Sequence, residues 1–275
     1  MPPPSPLERI LSEYPSVLVG YSGGVDSSLV AVVARQVLGR KRSLAAIGMS
    51  AALPQQQYGQ AREIAQQFDL ELVEVPTDEL KDPRYTANAT DRCYHCKREL
   101  WTRLSVVAES RDIEVLVDGT NADDLSEHRP GLRAAREFVI RSPLAETGYS
   151  KKDVRAEAQA LGIPIWDAPA APCLSSRVLY GLEVTSERLN QVEHGEAFLR
   201  ELGVSGDLRV RHRGEEARIE VLPSEFSIVR DARDAIAAWF TGLGFSCVTL
   251  TLAGYQRGSL LRADDTELEL LVDET

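Results

Sequence analysis

The stretch Tyr21-Ser-Gly-Gly-Val-Asp-Ser-Ser28 decides the fold. It follows Val17-Leu18-Val19-Gly20, which reads as a buried strand. It precedes Leu29-Val-Ala-Val-Val-Ala-Arg-Gln-Val-Leu38, which reads as a helix packed on a sheet. Strand, glycine-rich turn and helix, in that order, is where an α/β protein holds a phosphate. Gly23 and Gly24 let the backbone aim its N–H groups at one point, and Ser22, Ser27 and Ser28 add hydroxyl donors. The helix N-terminus adds roughly half a positive charge. Residues 22–28, with Val25 and Asp26 inside the run, are the first candidate phosphate site. The run lacks the lysine of a Walker A loop and the third glycine of a dinucleotide fingerprint.

Outward from this loop the pattern repeats. Ser43–Met49 reads as a second buried strand, Pro54 opens a helix through Phe68, and Leu70–Val75 reads as a third strand. Val115–Asp118 is a fourth. This βαβαβ order predicts an α/β domain with a doubly wound parallel sheet. Ligands of such sheets sit at the carboxyl ends of the strands. That rule brings Ser50, and the Gly119-Thr120-Asn121 loop after the fourth strand, to the same crevice as the first loop. Asp123 and Asp124 follow directly. They could help hold Mg²⁺, or cap a helix.

The chain has 275 residues and a net charge of −11, with 43% hydrophobic residues, enough for one large or two modest domains. An acidic balance argues against a nucleic-acid partner, which needs a basic footprint. With no leader-like segment or membrane-length apolar run, and four Cys read as reduced thiols, a cytoplasmic location and no membrane partner are expected. Cys93 and Cys96 are spaced as a redox pair or half a metal site. Helical spacing puts both on one face of the helix running through Glu109, and a pair of buried thiols is the favoured reading.

Cations gather after the fourth strand at Arg129, Arg133, Arg136 and Arg141, and guanidinium forks suit carboxylate and phosphate groups. Ser150-Lys-Lys-Asp153 reads as a capping box for a helix through Leu161, ended by Gly162. Trp166-Asp-Ala-Pro-Ala-Ala-Pro-Cys-Leu-Ser-Ser-Arg177 is the second informative stretch. Pro169 and Pro172 stiffen it, and Arg177 lies where it could raise the thiolate fraction of Cys173. The character changes after Gly181, which places the domain boundary there: residues 1–181, then a smaller α+β domain, residues 182–275. The second domain reads as a helix over Thr185–Leu202, a hairpin of Asp207–Arg213 and Ala217–Leu222, a helix from Ser224 through Phe240, and a strand, Phe245–Thr251. Arg209 and Arg211 alternate to one strand face, and Cys247 is expected in the core.

Ser-Gly-Gly-x-Asp-Ser resembles the PP-loop of the ATP pyrophosphatases, within the adenine nucleotide alpha hydrolase-like fold. That loop, Cys-Tyr-His-Cys-Lys97, Asp118-Gly-Thr-Asn-Ala-Asp-Asp124 and Pro172-Cys-Leu-Ser-Ser-Arg177 occur here in one order that resembles the LarE family, the ATP-dependent sacrificial sulfur transferases. The likeness runs from Leu7 to about Leu261. It implies ATP and Mg²⁺ as cofactors, and pyridinium-3,5-biscarboxylic acid mononucleotide as the substrate. ATP would adenylate a carboxylate with release of pyrophosphate, and Cys173 would supply the sulfur, serving the nickel-pincer nucleotide cofactor in a single turnover. It further implies that Arg133, Arg177, Arg209 and Arg211 face the substrate, and that the protein is a homo-oligomer of trimeric character. Other readings stay open: a tRNA thiolase holding an iron–sulfur cluster on Cys93, Cys96 and Cys173, an amide-forming synthetase, or an AMP-binding regulatory module.

Overall fold

The computed structural model describes residues 3–126, 130–169 and 172–256. Elements run α1 Pro6–Ser12, β1 Val17–Gly20, α2 Val25–Leu38, β2 Ser43–Met49, α3 Gln55–Gln67, β3 Leu72–Pro76, α4 Pro83–Thr86, α5 Arg92–Ser110 and β4 Val115–Val117. Then come α6 Pro130–Glu137, α7 Pro143–Glu146, α8 Lys151–Ala160, α9 Ser186–Glu201, β5 Leu208–Arg213, β6 Glu216–Val221, α10 Phe226–Asp231, α11 Arg233–Gly242 and β7 Cys247–Leu250. They group into two compact units, residues 1–85 with 90–171, and residues 86–89 with 172–275.

In the first unit four parallel strands lie in the order β3-β2-β1-β4. The chain winds from β1 outward to β3 and then returns to the other side of β1. The switch point therefore falls between β1 and β4, beside the loops that begin at Tyr21 and Asp118. Strand alternation divides the core. Val17 and Val19 pack with α1, α2, α3 and α8, whereas Leu18 packs with Trp101 and Leu104 of α5 and Ala134 of α6. Both faces are thus covered, which is why β1 reads as a continuous apolar run. Each fully buried aliphatic side chain, Leu18 among them, contributes about 2 kcal/mol. The capping box of α8 is present: Ser150 Oγ accepts the Asp153 N–H, and Asp153 returns to the Ser150 N–H.

In the second unit β5 and β6 form an antiparallel hairpin turned at Gly214 (φ 83°), and β7 adds to β6 in parallel. Val210, Ile219, Phe240 and Phe245 make its core. The helix expected from Ser224 through Phe240 is instead a 3₁₀ turn at Pro223–Glu225 followed by two helices that break at Ala232. Glu225 stands at the N-cap of the first helix without a side-chain cap bond, and its carboxylate instead accepts the N–H groups of Ser205 and Gly206 at 2.7 and 2.8 Å. Cys247 is half-buried on β7 and not in the core. The second unit begins ahead of Gly181, because Val178 bridges His212 of β5 and the Leu179 N–H donates to the His212 carbonyl.

Candidate active site

The loop after β1 is tied by its own hydroxyls. Ser27 Oγ accepts the Ser22 N–H and donates to the Gly24 carbonyl, both at 3.1 Å. Gly23 has φ 75°, and a Cβ there would sit 2.7 Å from Ala61 Cβ of α3. Only glycine meets both demands. The helix α2 starts at Val25, so Asp26 and Ser27 occupy its first turn, and Gly24 caps it with no side chain of its own.

Gly119 brings the β4 loop onto this turn. A Cβ at Gly119 would meet Ser27 N at 2.6 Å and the Asp26 carbonyl carbon at 2.9 Å. The two loops are further joined by Asn121, whose Nδ2 donates to Asp26 Oδ1 at 2.8 Å. Asp26 is raised above the ordinary carboxylate range, first by burial; the Asn121 hydrogen bond opposes this and the charge of Asp124 adds to it.

A cavity of about 250 Å³ opens at this junction. Of the residues singled out in the sequence, Ser22, Gly24, Asp26, Ser27, Gly119 and Thr120 line it. Gly23, Val25, Ser28, Asn121 and Ser50 do not. Val25 packs on the core, Ser28 is fully buried beneath the turn, and Asn121 holds Asp26. Ser50 Oγ accepts the Ala52 N–H and donates to the buried carboxylate of Glu79.

The sequence reading missed several lining residues. Lys97 and Trp101 come from α5, with the Lys97 Nζ 5.8 Å from the Trp101 ring centre. Gly131 and Leu132 come from α6. Lys97 supplies the cation that the loop itself lacks. Its only sequence signal was its place directly after the Cys-x-x-Cys.

Asp124 also lines the cavity. Its Oδ1 lies 3.2 Å from the Lys151 ammonium, and its backbone N–H donates to Asn121 Oδ1 at 3.1 Å. Asp123 takes the capping alternative, accepting the Lys151 N–H at 2.8 Å. Asp118 is occupied by Thr120 and Ser142, accepting two hydroxyls and one N–H.

One expectation for α5 changes. Cys93 and Cys96 sit in the first turns of α5, and Cys93 is exposed while Cys96 is half-buried, so they are not a pair of buried thiols. Asp91 stands at the N-cap and α5 begins at Arg92, which places both cysteines within its first two turns. Arg133 is exposed and stacks 3.6 Å from the centre of the Tyr94 ring. Arg141 pairs with Glu146. Arg129 lies outside the described residues.

In the second unit Cys173 is half-buried at the head of a 3₁₀ turn, Leu174–Arg177. Its carbonyl accepts the Ser176 N–H and Oγ, at 2.9 and 2.7 Å. The Arg177 side chain is 4% exposed and pairs with Glu196 at 3.0 Å. It also donates to the carbonyls of Pro172 and Cys173. Arg177 therefore fixes the backbone that carries the thiol. Arg209 and Arg211 are buried, not surface charge. Arg211 pairs with Glu220 at 2.9 Å and donates to the Ser176 carbonyl at 2.9 Å. Burial lowers the Arg209 pKa, and the nearby charge of Arg177 lowers it further. A buried guanidinium under that stress is a place where an anion is favoured.

Residues 9–105 match the NAD synthase family. The pyridinium-3,5-bisthiocarboxylic acid mononucleotide synthase of Lactiplantibacillus plantarum is 34% identical over 260 residues, covering 94% of this chain and 93% of that protein. This chain belongs to the LarE family. An uncharacterized protein of Synechocystis sp. is 43% identical over 93% of this chain and 96% of its own length. A GMP synthase of Clostridium botulinum shares 31% over 67% of this chain, but only 39% of its own length. The chain is thus an ATP-using enzyme of the PP-loop type. No helix among its described residues is long and apolar enough to cross a membrane.

Proposed function

We propose that this chain adenylates a carboxylate of pyridinium-3,5-biscarboxylic acid mononucleotide and converts it to a thiocarboxylate with the sulfur of Cys173, in making the nickel-pincer nucleotide cofactor. One observation carries the reading. The donors of two loops, together with Lys97, line a single cavity at the switch point of a parallel sheet in a LarE-family chain. N–H groups of the turn and the hydroxyls of Ser22, Ser27 and Thr120 would hold the β- and γ-phosphates, and Lys97 would balance their charge.

Asp26 and Asp124 fit Mg²⁺, which takes hard oxygen ligands and is usually held by one or two carboxylates plus substrate phosphates. When bound, Mg²⁺ would stabilise the departing pyrophosphate.

A carboxylate oxygen of the substrate attacks the α-phosphorus and pyrophosphate leaves. The Cys173 thiolate then attacks the acyl carbon and AMP leaves, giving a thioester. Removal of the Cα proton of residue 173 breaks its Cβ–S bond. The sulfur stays on the substrate as a thiocarboxylate, and dehydroalanine remains in the chain, so each protein molecule acts once. Arg177 holds the arm, while Arg133, Arg209 and Arg211 would receive the substrate's anionic groups. A homo-oligomer is part of the same proposal.

One observation favours a second route, recycling of sulfur through an iron–sulfur cluster: Cys93 is exposed and Cys96 only half-buried. Among the described residues, however, no three metal-binding side chains gather to hold a metal ion. The test is Cys173→Ala with ATP and the biscarboxylate substrate. It should still release pyrophosphate but form no thiocarboxylate. Thiocarboxylate made by the variant would overturn the assignment of Cys173.

A further inference from the structure

One face of α5 sends two side chains to the cavity. Lys97 and Trp101 stand four residues apart, which makes them neighbours on a helix. The Lys97 ammonium lies over the Trp101 ring, 5.8 Å from its centre, within the range at which an indole face attracts a cation. Among the described residues no carboxylate lies within ion-pair distance of that ammonium. The lysine stem is confined as well: a Cβ at Gly131 of α6 would stand 3.2 Å from Lys97 Cγ.

The indole is itself fixed. Trp101 is 1% exposed and packs with Leu18, Leu44 and Leu104. A Cβ at Gly20, the last residue of β1, would meet Trp101 Cη2 at 2.5 Å and Cζ3 at 3.0 Å. The ring can lie against the strand end only because residue 20 has no side chain. Gly20, Trp101, Lys97 and Gly131 all line the one cavity.

A lysine free to rotate must be ordered when a polyphosphate binds, and ordering one such side chain is worth about two- to tenfold in affinity. A carboxylate could hold the ammonium in advance, but it would also oppose the charge the phosphates need. An indole face attracts the cation and leaves its charge intact. We infer that Trp101 is a positioning residue: its face, seated by Gly20, holds the Lys97 ammonium at the cavity wall before a polyphosphate arrives. This rests on the reading of that cavity as the ATP site. Trp101 acts through Lys97, and the effect does not require contact between the indole and the nucleotide.

The experiment is a double-mutant cycle on the full chain, with ATP binding measured by calorimetry in the presence of Mg²⁺. Trp101→Leu should lose about fivefold in ATP affinity where Lys97 is kept, and less than about twofold in the Lys97→Met background. Trp101→Phe retains an aromatic face and should lose about twofold at most where Lys97 is kept. Should the leucine variant fail to fold, Trp101→Tyr and Trp101→Phe complete the cycle, and each should cost more with Lys97 than without it. A ring that only supports the fold would give equal losses in both backgrounds, and that result would overturn the inference. So would a phenylalanine variant as weak as the leucine one, or a Trp101→Leu variant that binds ATP like the wild type. Wild-type protein that binds no ATP, or a Lys97→Met variant that binds it undiminished, would instead contradict the reading of the cavity and of Lys97, before Trp101 is compared.

Discussion

Replacing Gly119 by alanine tests whether the close approach of the two loops makes the nucleotide site. The new Cβ would stand 2.6 Å from Ser27 N, 2.9 Å from the Asp26 carbonyl carbon and 2.9 Å from Ser27 Cα. All three atoms are backbone at the start of α2, so no side chain can swing aside. Restoring ordinary contact near 3.4 Å requires a shift of about 0.8 Å. Overpacking of this kind costs about 1–3 kcal/mol of stability. A displacement near 1 Å at reacting groups costs about 100-fold in rate. Thermal unfolding should therefore show a modest loss, and ATP–pyrophosphate exchange with the biscarboxylate substrate a far larger one. Gly59→Ala is the control, because a Cβ there meets nothing within 4 Å on α3 and should stabilise the fold by about 0.5–1 kcal/mol. If Gly119→Ala exchanged pyrophosphate at the wild-type rate, the contact between Gly119 and the turn would have no part in catalysis.

His212 is 3% exposed, and burial, with the charge of Arg188 adding, lowers its pKa from 6.5 to about 4. The unfolded chain then binds more protons between those values. Stability is full above pH 6.5, falls as pH drops through that window by up to about 3 kcal/mol, and levels off below about 4. In His212→Gln, urea midpoints across this range should lose that part of the slope; an unchanged slope would assign it to other groups. Val139 is exposed, β-branched and at φ 55°, a left-handed conformation at the end of α6. Val139→Gly should raise stability by about 1 kcal/mol, and a lower denaturation midpoint would refute the strain.

What the sequence made legible was local. Strand, Gly-Gly turn and helix between Val17 and Leu38 give the PP-loop, because apolar runs and glycines act within a few residues of themselves. The meeting of Gly119 with that turn followed only from the rule for parallel sheets, and the structure agrees. Lys97 and Trp101 were not legible as site residues. They reach the cavity because α5 crosses the face of the sheet that carries Leu18, a fact of packing with no sequence period to announce it.

Arg177 was read for its charge near Cys173. What it does in the structure is hydrogen-bond two carbonyls and Glu196, a geometry that neighbouring residues in sequence do not reveal. Residues 86–89 were unreadable for the same reason. Asn88 belongs with the second unit because its buried amide donates to the carbonyls of Val178, Leu179 and Leu182, about ninety positions away. The buried state of Arg209 and Arg211 likewise depends on Glu220 and Tyr255, which alternation along one strand cannot supply.

The claim that the sulfur leaves the protein itself is tested most directly by the intact mass of the chain before and after reaction with ATP and the biscarboxylate substrate. The account predicts a decrease equal to one hydrogen sulfide, confined to the peptide that holds Cys173. An unchanged mass alongside newly formed thiocarboxylate would contradict it.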